Sequence, residues 1–327
     1  MKLWSRSTVT FSQIPIIDLS GLRSPKLSDR QAVAAAIRHA SHQVGFFYIA
    51  NHGVPADAIA DTFAQTKRFF DQPLAFRDTV AIARSPISRG YEAIGQQALD
   101  QNPDLKEGYY IGVDRGRDDL LVQAGTPNHG ANQWPNLPGW REPLEAYFTL
   151  MLDLSTQLMR ALALSLDLDE HYFDPMIDNS MSVLRLLHYP PHPANAMEHQ
   201  LGCGAHTDWG SITILLQDQV GGLEVRNANG EWIAAKPIPD TFVINLGDMM
   251  ARWTNDYYQS TPHRVVNRSG KERYSIPFFF DPNYHALVEC LPTCQSDGKP
   301  PKYAPITAGK HIMEMYRKTY DVVASPA

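Results

Sequence analysis

Five polar residues in the second half of the chain have the types and spacing to build a metal centre. His206 and Asp208 are two positions apart, His263 follows much later, and Arg273 and Ser275 come after it. Two imidazoles and one carboxylate fill three of the six positions around a metal ion, which is the ligand set of non-haem Fe(II) centres with open positions. The sequence therefore predicts an Fe(II) site formed by His206, Asp208 and His263.

The charges around this ligand set favour an anionic organic reactant. One carboxylate lowers the charge of a bound Fe(II) ion from +2 to about +1, and the planar guanidinium of Arg273 can bind a carboxylate through two hydrogen bonds. On a strand, Ser275 lies on the same face as Arg273 and can donate a further bond. The pattern predicts an organic diacid held between the metal and Arg273, with O2 as the second reactant.

The ligand spacing also constrains the fold. If His206 and Asp208 lie on one strand, their side chains leave the same face, while His263 must arrive from another strand of a folded-back sheet. After Ser182, short apolar runs alternate with turn residues, as in barrels and jelly rolls. Five of these runs are predicted to be strands: residues 183–187, 211–216, 222–226, 241–245 and 273–280.

The rest of the chain is predicted to be mixed helix and strand. A helix capped by Ser28, a strand at 45–50 and a second helix at 56–70 fit the apolar spacing of the N-terminal region. A long helix after Pro138 carries one apolar stripe, which predicts that it packs on the sheet. A last helix is predicted at 310–319.

A set of short motifs follows a fixed order along most of the chain. They are 14–19 (IPIIDL), 45–54 (GFFYIANHGV), 105–108 (LKEG), 189–191 (YPP), 204–210 (GAHTDWG), 221–223 (GGL), 245–248 (NLGD), 260–265 (STPHRV) and 273–279 (RYSIPFF). Together they resemble the iron(II)/2-oxoglutarate-dependent oxygenases, in the branch named after isopenicillin N synthase. The resemblance implies a mainly β fold with flanking α-helices, in which a distorted double-stranded β-helix core (a cupin-like jelly roll) follows an N-terminal helical and strand region.

The same resemblance implies a division of the chain and a reaction. We expect an N-terminal dioxygenase region at 1–125, a linking loop and long backing helix at 126–180, the β-helix core at 181–285 and a C-terminal extension with a helix at 286–327, in one compact unit. The implied activity is oxidation of a small molecule, by hydroxylation or a related step, with Fe(II), 2-oxoglutarate and O2 forming succinate and CO2. Ascorbate is expected to serve as the reductant in vitro.

The resemblance also implies how the cosubstrate is held. The positions of Arg273, Ser275 and Tyr189 match residues that bind the C5 carboxylate of 2-oxoglutarate. Plant relatives often carry Asn two residues before the tyrosine, where this chain has Leu187. One polar contact near the cosubstrate is therefore missing, although the arginine is present.

Two other functions fit the same motifs. Some relatives close rings without 2-oxoglutarate or fragment 2-oxoglutarate to ethylene, and the ring-closing ones keep the Arg-x-Ser motif. The other alternative is a non-catalytic metal-binding barrel. Absence of succinate release would favour the ring-closing or fragmenting enzymes over the leading function. Absence of oxygen uptake would favour a non-catalytic barrel.

A substrate pocket is predicted beside the metal. Arg185 shares a strand face with Tyr189 and needs an anionic or strongly polar partner if buried; that partner is either the substrate or an internal carboxylate, and we weigh the two equally. With Trp209, Arg185 favours a small substrate that is flat and polar or anionic. The predicted pocket residues are Arg185, Trp209, Phe279, Asp281, Tyr91 and Tyr110.

Other histidines are interpreted as structural. His188, His192 and His199 lie close together, but the prolines between them prevent a helix that would align them. We expect these three to be loop or strand residues. His52, beside a predicted buried strand, is expected to hydrogen-bond within the fold.

Composition limits the possible partners and the compartment. The 327 residues are 43% hydrophobic and 20% charged with a net charge of −6, which argues against nucleic acid because no basic run neutralises phosphates. No signal peptide and no membrane span are predicted. The odd number of cysteines, three, fits a reducing cytoplasm. The sequence does not indicate the oligomeric state.

Overall fold

The computed structural model describes residues 10–100, 102–193 and 200–324. Its strands are β1 (Ile16–Asp18), β2 (Phe46–Ala50), β3 (Gly90–Glu92), β4 (Glu107–Gly112), β5 (Val183–Tyr189), β6 (Cys203–His206), β7 (Ile212–Gln217), β8 (Leu223–Arg226), β9 (Trp232–Ala234), β10 (Phe242–Leu246), β11 (His263–Val265), β12 (Arg273–Phe280), β13 (Leu287–Val288) and β14 (Ile306–Thr307). Its helices are α1 (Leu27–Gln43), α2 (Ala56–Phe70), α3 (Leu74–Arg77), α4 (Leu120–Gln123), α5 (Arg141–Ser165), α6 (Asp174–Ile177), α7 (Asp248–Trp253) and α8 (Ala308–Ala324).

The strands form a large and a small sheet. The large sheet has the order β1-β2-β10-β7-β12-β5-β4-β3, and the small sheet has the order β6-β11-β8-β9. Neighbours in the large sheet are antiparallel except for β1 and β2, which are parallel. A separate pair is formed by β13 and β14. This arrangement, with its flanking helices, confirms the predicted double-stranded β-helix.

One face of the large sheet packs against the helices. Side chains alternate along each strand, so β5 presents Leu184 and Leu186 to the helical layer, and β12 presents Ile276 and Phe278. The rings of Phe148 on α5 and Phe278 lie 5.1 Å apart, edge to face. The apolar stripe predicted for the long helix is buried at Leu144, Tyr147, Met151, Leu154, Leu158 and Leu162.

The opposite face of the large sheet packs against the small sheet. Its apolar members include Phe46 and Val243 from the large sheet and Val225 and Val265 from the small sheet, and they form a second, smaller core. The polar residues of the candidate site lie on this inner face. The strand period therefore separates a helix-facing layer that stabilises the fold from an inner layer that can bind ligands.

Most sequence predictions of elements are confirmed, and one is wrong in detail. The helix at 56–70 and the strand at 273–280 have the predicted bounds, and the last helix extends past both ends of 310–319. Ser28 is not the N-cap of α1, since Lys26 occupies that position without a side-chain bond and the helix begins at Leu27. No described helix combines the length and apolar character needed to cross a membrane.

The predicted structural histidines have structural partners. Nδ1 of His52 accepts the backbone N–H of Val54 at 3.1 Å, and Nδ1 of His188 donates to Oε1 of Glu107 at 2.8 Å on the helix-facing side of the sheet. His192 lies in the loop that follows β5. His199 lies outside the described residues.

Glu107 is the centre of a buried polar cluster on the helix-facing side. Its carboxylate receives the Tyr91 hydroxyl at 2.5 Å and the imidazole of His188, and it pairs with the Arg77 guanidinium. Burial alone would raise the pKa of Glu107, but the His188 and Tyr91 hydrogen bonds and the Arg77 charge lower it below its ordinary value. The carboxylate is therefore ionised in the folded protein.

We expect Glu107→Gln to lower the free energy of unfolding at pH 7 by about 1–3 kcal/mol, because it leaves the buried charge of Arg77 without an ionised partner. A lowered pKa gives stability that is present above the ordinary value of about 4.3 and is lost as the pH falls through the folded pKa. The difference between variant and wild type should therefore shrink below about pH 4. Urea unfolding followed by circular dichroism at several pH values measures it, and equal stability at pH 7 would contradict the prediction.

Candidate active site

Three potential metal ligands converge between the two sheets. His206 ends β6, and His263 begins β11 directly opposite it in the antiparallel register. Oδ1 of Asp208 lies 3.6 Å from Nε2 of His206 and 3.7 Å from Nε2 of His263. One ligand atom from each residue lies within 4.8 Å of the others, and no other such group of His, Cys, Asp and Glu occurs among the described residues.

Asp208 reaches this point by a different route from the predicted one. We expected His206 and Asp208 on a single strand, but β6 ends at His206 and Asp208 lies in the turn before β7. The turn is tight because Gly247 leaves room for it: a Cβ at Gly247 would lie 2.3 Å from the carbonyl oxygen of Gly210 and 2.9 Å from that of Asp208. The glycine of the 245–248 motif thus permits the close approach.

The large sheet determines the orientation of the Asp208 carboxylate. Oδ2 accepts hydrogen bonds from Thr213 Oγ1 on β7 and, at 2.7 Å, from Asn245 Nδ2 on β10. With Oδ2 occupied by two donors, Oδ1 is directed at the two imidazoles. The carboxylate is therefore prepared to bind a metal through one oxygen.

Backbone carbonyls set the tautomers of the two histidines. Nδ1 of His206 lies 2.8 Å from the carbonyl oxygen of Gly204, and Nδ1 of His263 lies 3.2 Å from that of Thr261. A carbonyl can only accept, so each Nδ1 carries the proton and each Nε2 keeps its lone pair. Both Nε2 atoms face Asp208, as metal coordination requires.

The protonation states of the cluster suit a divalent cation. Burial favours the neutral form of Asp208, but the nearby His263 and His206 and the hydrogen bonds from Asn245 and Thr213 bring its pKa below the ordinary value. Burial and then the neighbouring His206 lower the pKa of His263 to about 4. One carboxylate and neutral imidazole at neutral pH form the donor set that binds Fe(II).

Arg273 lies completely buried on the inner face with a hydrogen-bond donor still unused. Nε donates to the carbonyl oxygen of Gly221 at 2.6 Å, and Nη1 donates to Oγ of Ser275 at 3.0 Å. Nη2 is buried and has no partner among the described residues. An unsatisfied charged donor in a protein interior is costly, which points to an anionic ligand beside this guanidinium.

A cavity connects Arg273 with the three candidate metal ligands. This inner cavity is lined by Tyr189 and Ser275 as well as by His206, Asp208 and His263. The guanidinium of Arg273 lies 4.6 Å from the ring centre of Tyr189. Leu187 also faces this cavity with an apolar surface. Arg273 and the three candidate metal ligands therefore face one common space.

A second cavity opens on the other side of the cluster. This outer cavity is bordered by His206 and Asp208 and is lined by both aromatic and polar side chains. Its lining includes five of the six predicted pocket residues, which are Arg185, Trp209, Phe279, Asp281 and Tyr110. Arg185, Phe279, His206 and Asp208 border both cavities.

Arg185 has an internal carboxylate partner. Its Nη2 pairs with Oε2 of Glu92 and also donates to Oε1 of Gln97 at 3.1 Å. Its guanidinium lies 4.3 Å from the ring centre of Tyr110. The internal ion pair, which we had weighed equally with a substrate contact, is present, and Arg185 is therefore weaker support for an anionic substrate.

Asp281 lines the outer cavity with one oxygen unused. The residue is 7% exposed, and Oδ1 has no hydrogen-bond partner among the described residues. Gly210 makes the room, since a Cβ there would lie 1.6 Å from that oxygen. Burial and then the charge of Asp208 raise the pKa of Asp281 to about 7.

Tyr91 is not part of the pocket. It pairs with Tyr109 across β3 and β4, and both rings lie in the helix-facing core beside Phe69. The adjacent residue, Glu92, has the opposite orientation and reaches Arg185. The assignment of Tyr91 was wrong because the sequence did not reveal which face of this short strand is inward.

Several wall residues were missed by sequence reasoning. Ile312 and Tyr316 come from α8 and close the outer cavity, where the rings of Tyr316 and Trp209 lie 5.4 Å apart. Gln97 and Leu99 come from the segment between β3 and β4. A last helix was predicted at 310–319, but the sequence did not show which part of the fold it would cover.

The chain is similar to 2-oxoglutarate-dependent enzymes over most of its length. A 2-oxoglutarate-Fe(II) type oxidoreductase, hxnY of Emericella nidulans, is 38% identical over 314 residues, which cover 94% of this chain and 90% of the relative. A homoarginine-6-hydroxylase of Glycine max is 36% identical over 86% of this chain and 89% of its own length. A full-length Neurospora crassa protein, crystallised in complex with α-KG and thymine, superposes with a TM-score of 0.84 at 33% identity, covering 93% of this chain and 96% of its own.

Two family profiles match the chain in succession. The profile described as the non-haem dioxygenase in morphine synthesis N-terminal region matches residues 14–137, and that of the 2OG-Fe(II) oxygenase superfamily matches residues 180–282. With the His-Asp-His cluster, these matches identify an oxidoreductase that uses Fe(II), 2-oxoglutarate and O2 to oxidise a small molecule. The chain belongs to the 2OG-Fe(II) oxygenase superfamily.

Proposed function

We propose that this dioxygenase oxidises a small, flat, polar substrate bearing an N–H group, with His206, Asp208 and His263 as the Fe(II) ligands. When bound, Fe(II) and 2-oxoglutarate supply an O2-dependent oxidation that forms succinate and CO2. The observation that carries the proposal is the unused Nη2 donor of Arg273 at the far end of the inner cavity. The ring-closing, ethylene-forming and non-catalytic alternatives are not favoured by the relatives.

Arg273 is the proposed anchor for the far carboxylate of 2-oxoglutarate. Its bonds to Gly221 and Ser275 fix the guanidinium plane and leave Nη2 to donate to an anion. A fixed planar fork loses little conformational entropy when it binds a carboxylate. Ser275 and Tyr189 lie beside it and add hydroxyl groups to the same end of the cavity.

The electrostatics of the inner cavity favour a dianion. The buried cations Arg185 and Lys106 are paired with Glu92 and Asp104. Arg273 has no carboxylate among its hydrogen-bond partners in the described part of the chain. The positive charge of Arg273 and the residual charge of Fe(II) bound by one carboxylate thus stand at opposite ends of the space. A dicarboxylate neutralises both.

Asp281 is the proposed polar contact of the substrate. Its Oδ1 is buried at the wall of the outer cavity and lacks a donor among the described residues. An N–H or ammonium group of the substrate would supply that donor and offset the cost of burying the carboxyl group. The anionic substrate that we first considered fits less well, because Arg185 is paired with Glu92 and Asp281 would repel an anion.

The remaining walls of the outer cavity favour a flat molecule. Trp209, Tyr110 and Tyr316 supply aromatic faces, and Phe279 and Ile312 supply apolar surface. Aromatic walls with a few polar groups are usual where a small ring is oriented. Such walls also exclude water from the neighbourhood of the metal.

We also infer that the enzyme works in a reducing compartment such as the cytoplasm. Cys203, Cys290 and Cys294 are all buried free thiols. Free thiols persist where glutathione and thioredoxin keep them reduced. The same conditions keep iron in the Fe(II) state.

We expect Arg273→Leu to weaken 2-oxoglutarate binding at least about 30-fold, equivalent to about 2 kcal/mol for the lost charged hydrogen bonds. Arg273→Lys keeps the charge but loses the fork, so its loss should be smaller. The dissociation constant is measured by anaerobic titration of the Fe(II)-loaded protein, and succinate release with ascorbate present measures turnover. Equal affinity in the wild type and the leucine variant would rule out Arg273 as the anchor.

The substrate proposal is tested with matched compounds that carry or lack N–H donors. Thymine, bound in the Neurospora crassa structure, is the starting point, beside 1,3-dimethylthymine, which lacks N–H groups. We expect substrate-stimulated succinate release only with free N–H groups. Asp281→Leu should raise the KM of such a substrate about fivefold, since a hydrogen bond to the carboxyl group contributes about 1 kcal/mol. The substrate proposal would be contradicted if the enzyme turned over only anionic compounds that lack N–H groups.

A further inference from the structure

A buried ion pair lies directly behind the candidate metal site and has no role in the function described so far. Lys106 Nζ pairs with Oδ2 of Asp104, and their side chains are only 1% and 2% exposed. Removing two charges from water is costly, and the attraction between them does not always repay that cost. A pair of this kind next to an active site therefore calls for an explanation beyond general stability.

Asp104 is linked to the metal ligand His206 through a single residue. Its Oδ1 accepts the backbone N–H of Gly204 at 2.8 Å. The carbonyl oxygen of Gly204 in turn accepts the Nδ1 proton of His206 at 2.8 Å. Two short hydrogen bonds thus run from the carboxylate to the imidazole.

The sheet itself does not fix Gly204 at this point. The β6–β11 ladder pairs His206 with His263 and Cys203 with Val265, with an irregularity between these two pairs. The two residues Gly204 and Ala205 therefore oppose one residue, as in a β-bulge, where a backbone group loses its strand partner. The carboxylate of Asp104 replaces the missing acceptor.

Gly204 has no side chain that could hold its backbone in place, so it depends on a restraint from another residue. A Cβ at this position would lie 2.7 Å from Cβ of Asp100 and 2.8 Å from its backbone nitrogen, so only glycine fits. Glycine has the largest backbone freedom of all residues. Without the bond to Asp104, the carbonyl that orients His206 would be poorly held.

We propose that Asp104 is a positioning residue for the metal ligand His206, acting through the backbone of Gly204, and that Lys106 compensates its buried charge. The proposal rests on the proposed role of His206 as an Fe(II) ligand. Lys106 also lines the inner cavity beside Tyr189. Partners that orient a ligating histidine typically change metal affinity about 10–100-fold when they are lost.

Two double variants isolate the hydrogen bond from the ion pair. Asp104→Asn with Lys106→Met removes both charges but keeps an oxygen that can accept the Gly204 N–H. Asp104→Leu with Lys106→Met removes both charges and the acceptor, with a side chain of similar size. Fe(II) dissociation constants are measured anaerobically by equilibrium dialysis, and thermal unfolding of the metal-free proteins is measured in parallel.

We expect the leucine double variant to bind Fe(II) about 10–100-fold more weakly than the asparagine double variant. Equal affinities in the two would overturn the positioning role. If the leucine variant does not fold, Asp104→Ala with Lys106→Met removes the same acceptor and is measured instead. The comparison concerns metal affinity in folded protein, which a purely stabilising ion pair would not change.

Glu107→Gln is the matched control. It makes the same acid-to-amide change in the adjacent buried cluster, but on the helix-facing side of the sheet. We expect it to lower stability and leave the Fe(II) dissociation constant unchanged; a parallel loss of affinity would show that destabilisation alone explains the effect. Absence of succinate release by the wild type would count against the proposed function, whereas the ratio of the two affinities tests the positioning role separately.

Discussion

The carboxylate of Asp208 is held between the two sheets by contacts to both. Thr213 and Asn245 of the large sheet take one oxygen, and the imidazoles of His206 and His263, from the small sheet, face the other. If either sheet moves relative to the other, this carboxylate loses partners on one side. The geometry of the candidate metal site therefore depends on the packing of the two sheets against each other.

The buried charged side chains near Asp208 are of two kinds. Some form ion pairs, and others keep a hydrogen-bond donor or acceptor without a partner among the described residues. Arg185 pairs with Glu92 and Lys106 pairs with Asp104, and the two cations line the cavities. By contrast, Arg273 keeps a buried donor and Asp281 keeps a buried acceptor oxygen among the described residues. Unsatisfied buried groups cost stability, and a protein retains them where a ligand completes them. Their positions on two sides of the metal cluster match a cosubstrate on one side and a substrate on the other.

The chemistry of the site could be predicted because it depends on residue types and order. The spacing of His206, Asp208 and His263 indicated the three candidate metal ligands that converge in the fold, and the two-residue spacing placed Arg273 and Ser275 on one face. The β-helix followed from the motif order and the short apolar runs. These features survive in the sequence because a facial ligand set and a strand period tolerate few alternatives.

Two kinds of detail could not be predicted: which face of a short strand points inward, and which contacts come from distant segments of the chain. Three residues of β3 are too few to show which face is inward, so Tyr91 was assigned to the inner face, where Glu92 lies and pairs with Arg185. Tyr316 reaches the outer cavity from the last helix, and Asp104 reaches β6 from the segment before β4; neither contact leaves a sequence pattern. The turn that carries Asp208 depends on the close approach of Gly247, which only the folded chain reveals.

The convergence of three side chains on one metal ion is tested most directly by anaerobic Fe(II) binding. The wild type is compared with His206→Ala, Asp208→Ala and His263→Ala, after folding of each variant is verified by circular dichroism. We expect one tightly bound Fe(II) per wild-type chain and a large loss of affinity in each of the three variants. Retention of wild-type affinity in any one of them would contradict the shared site.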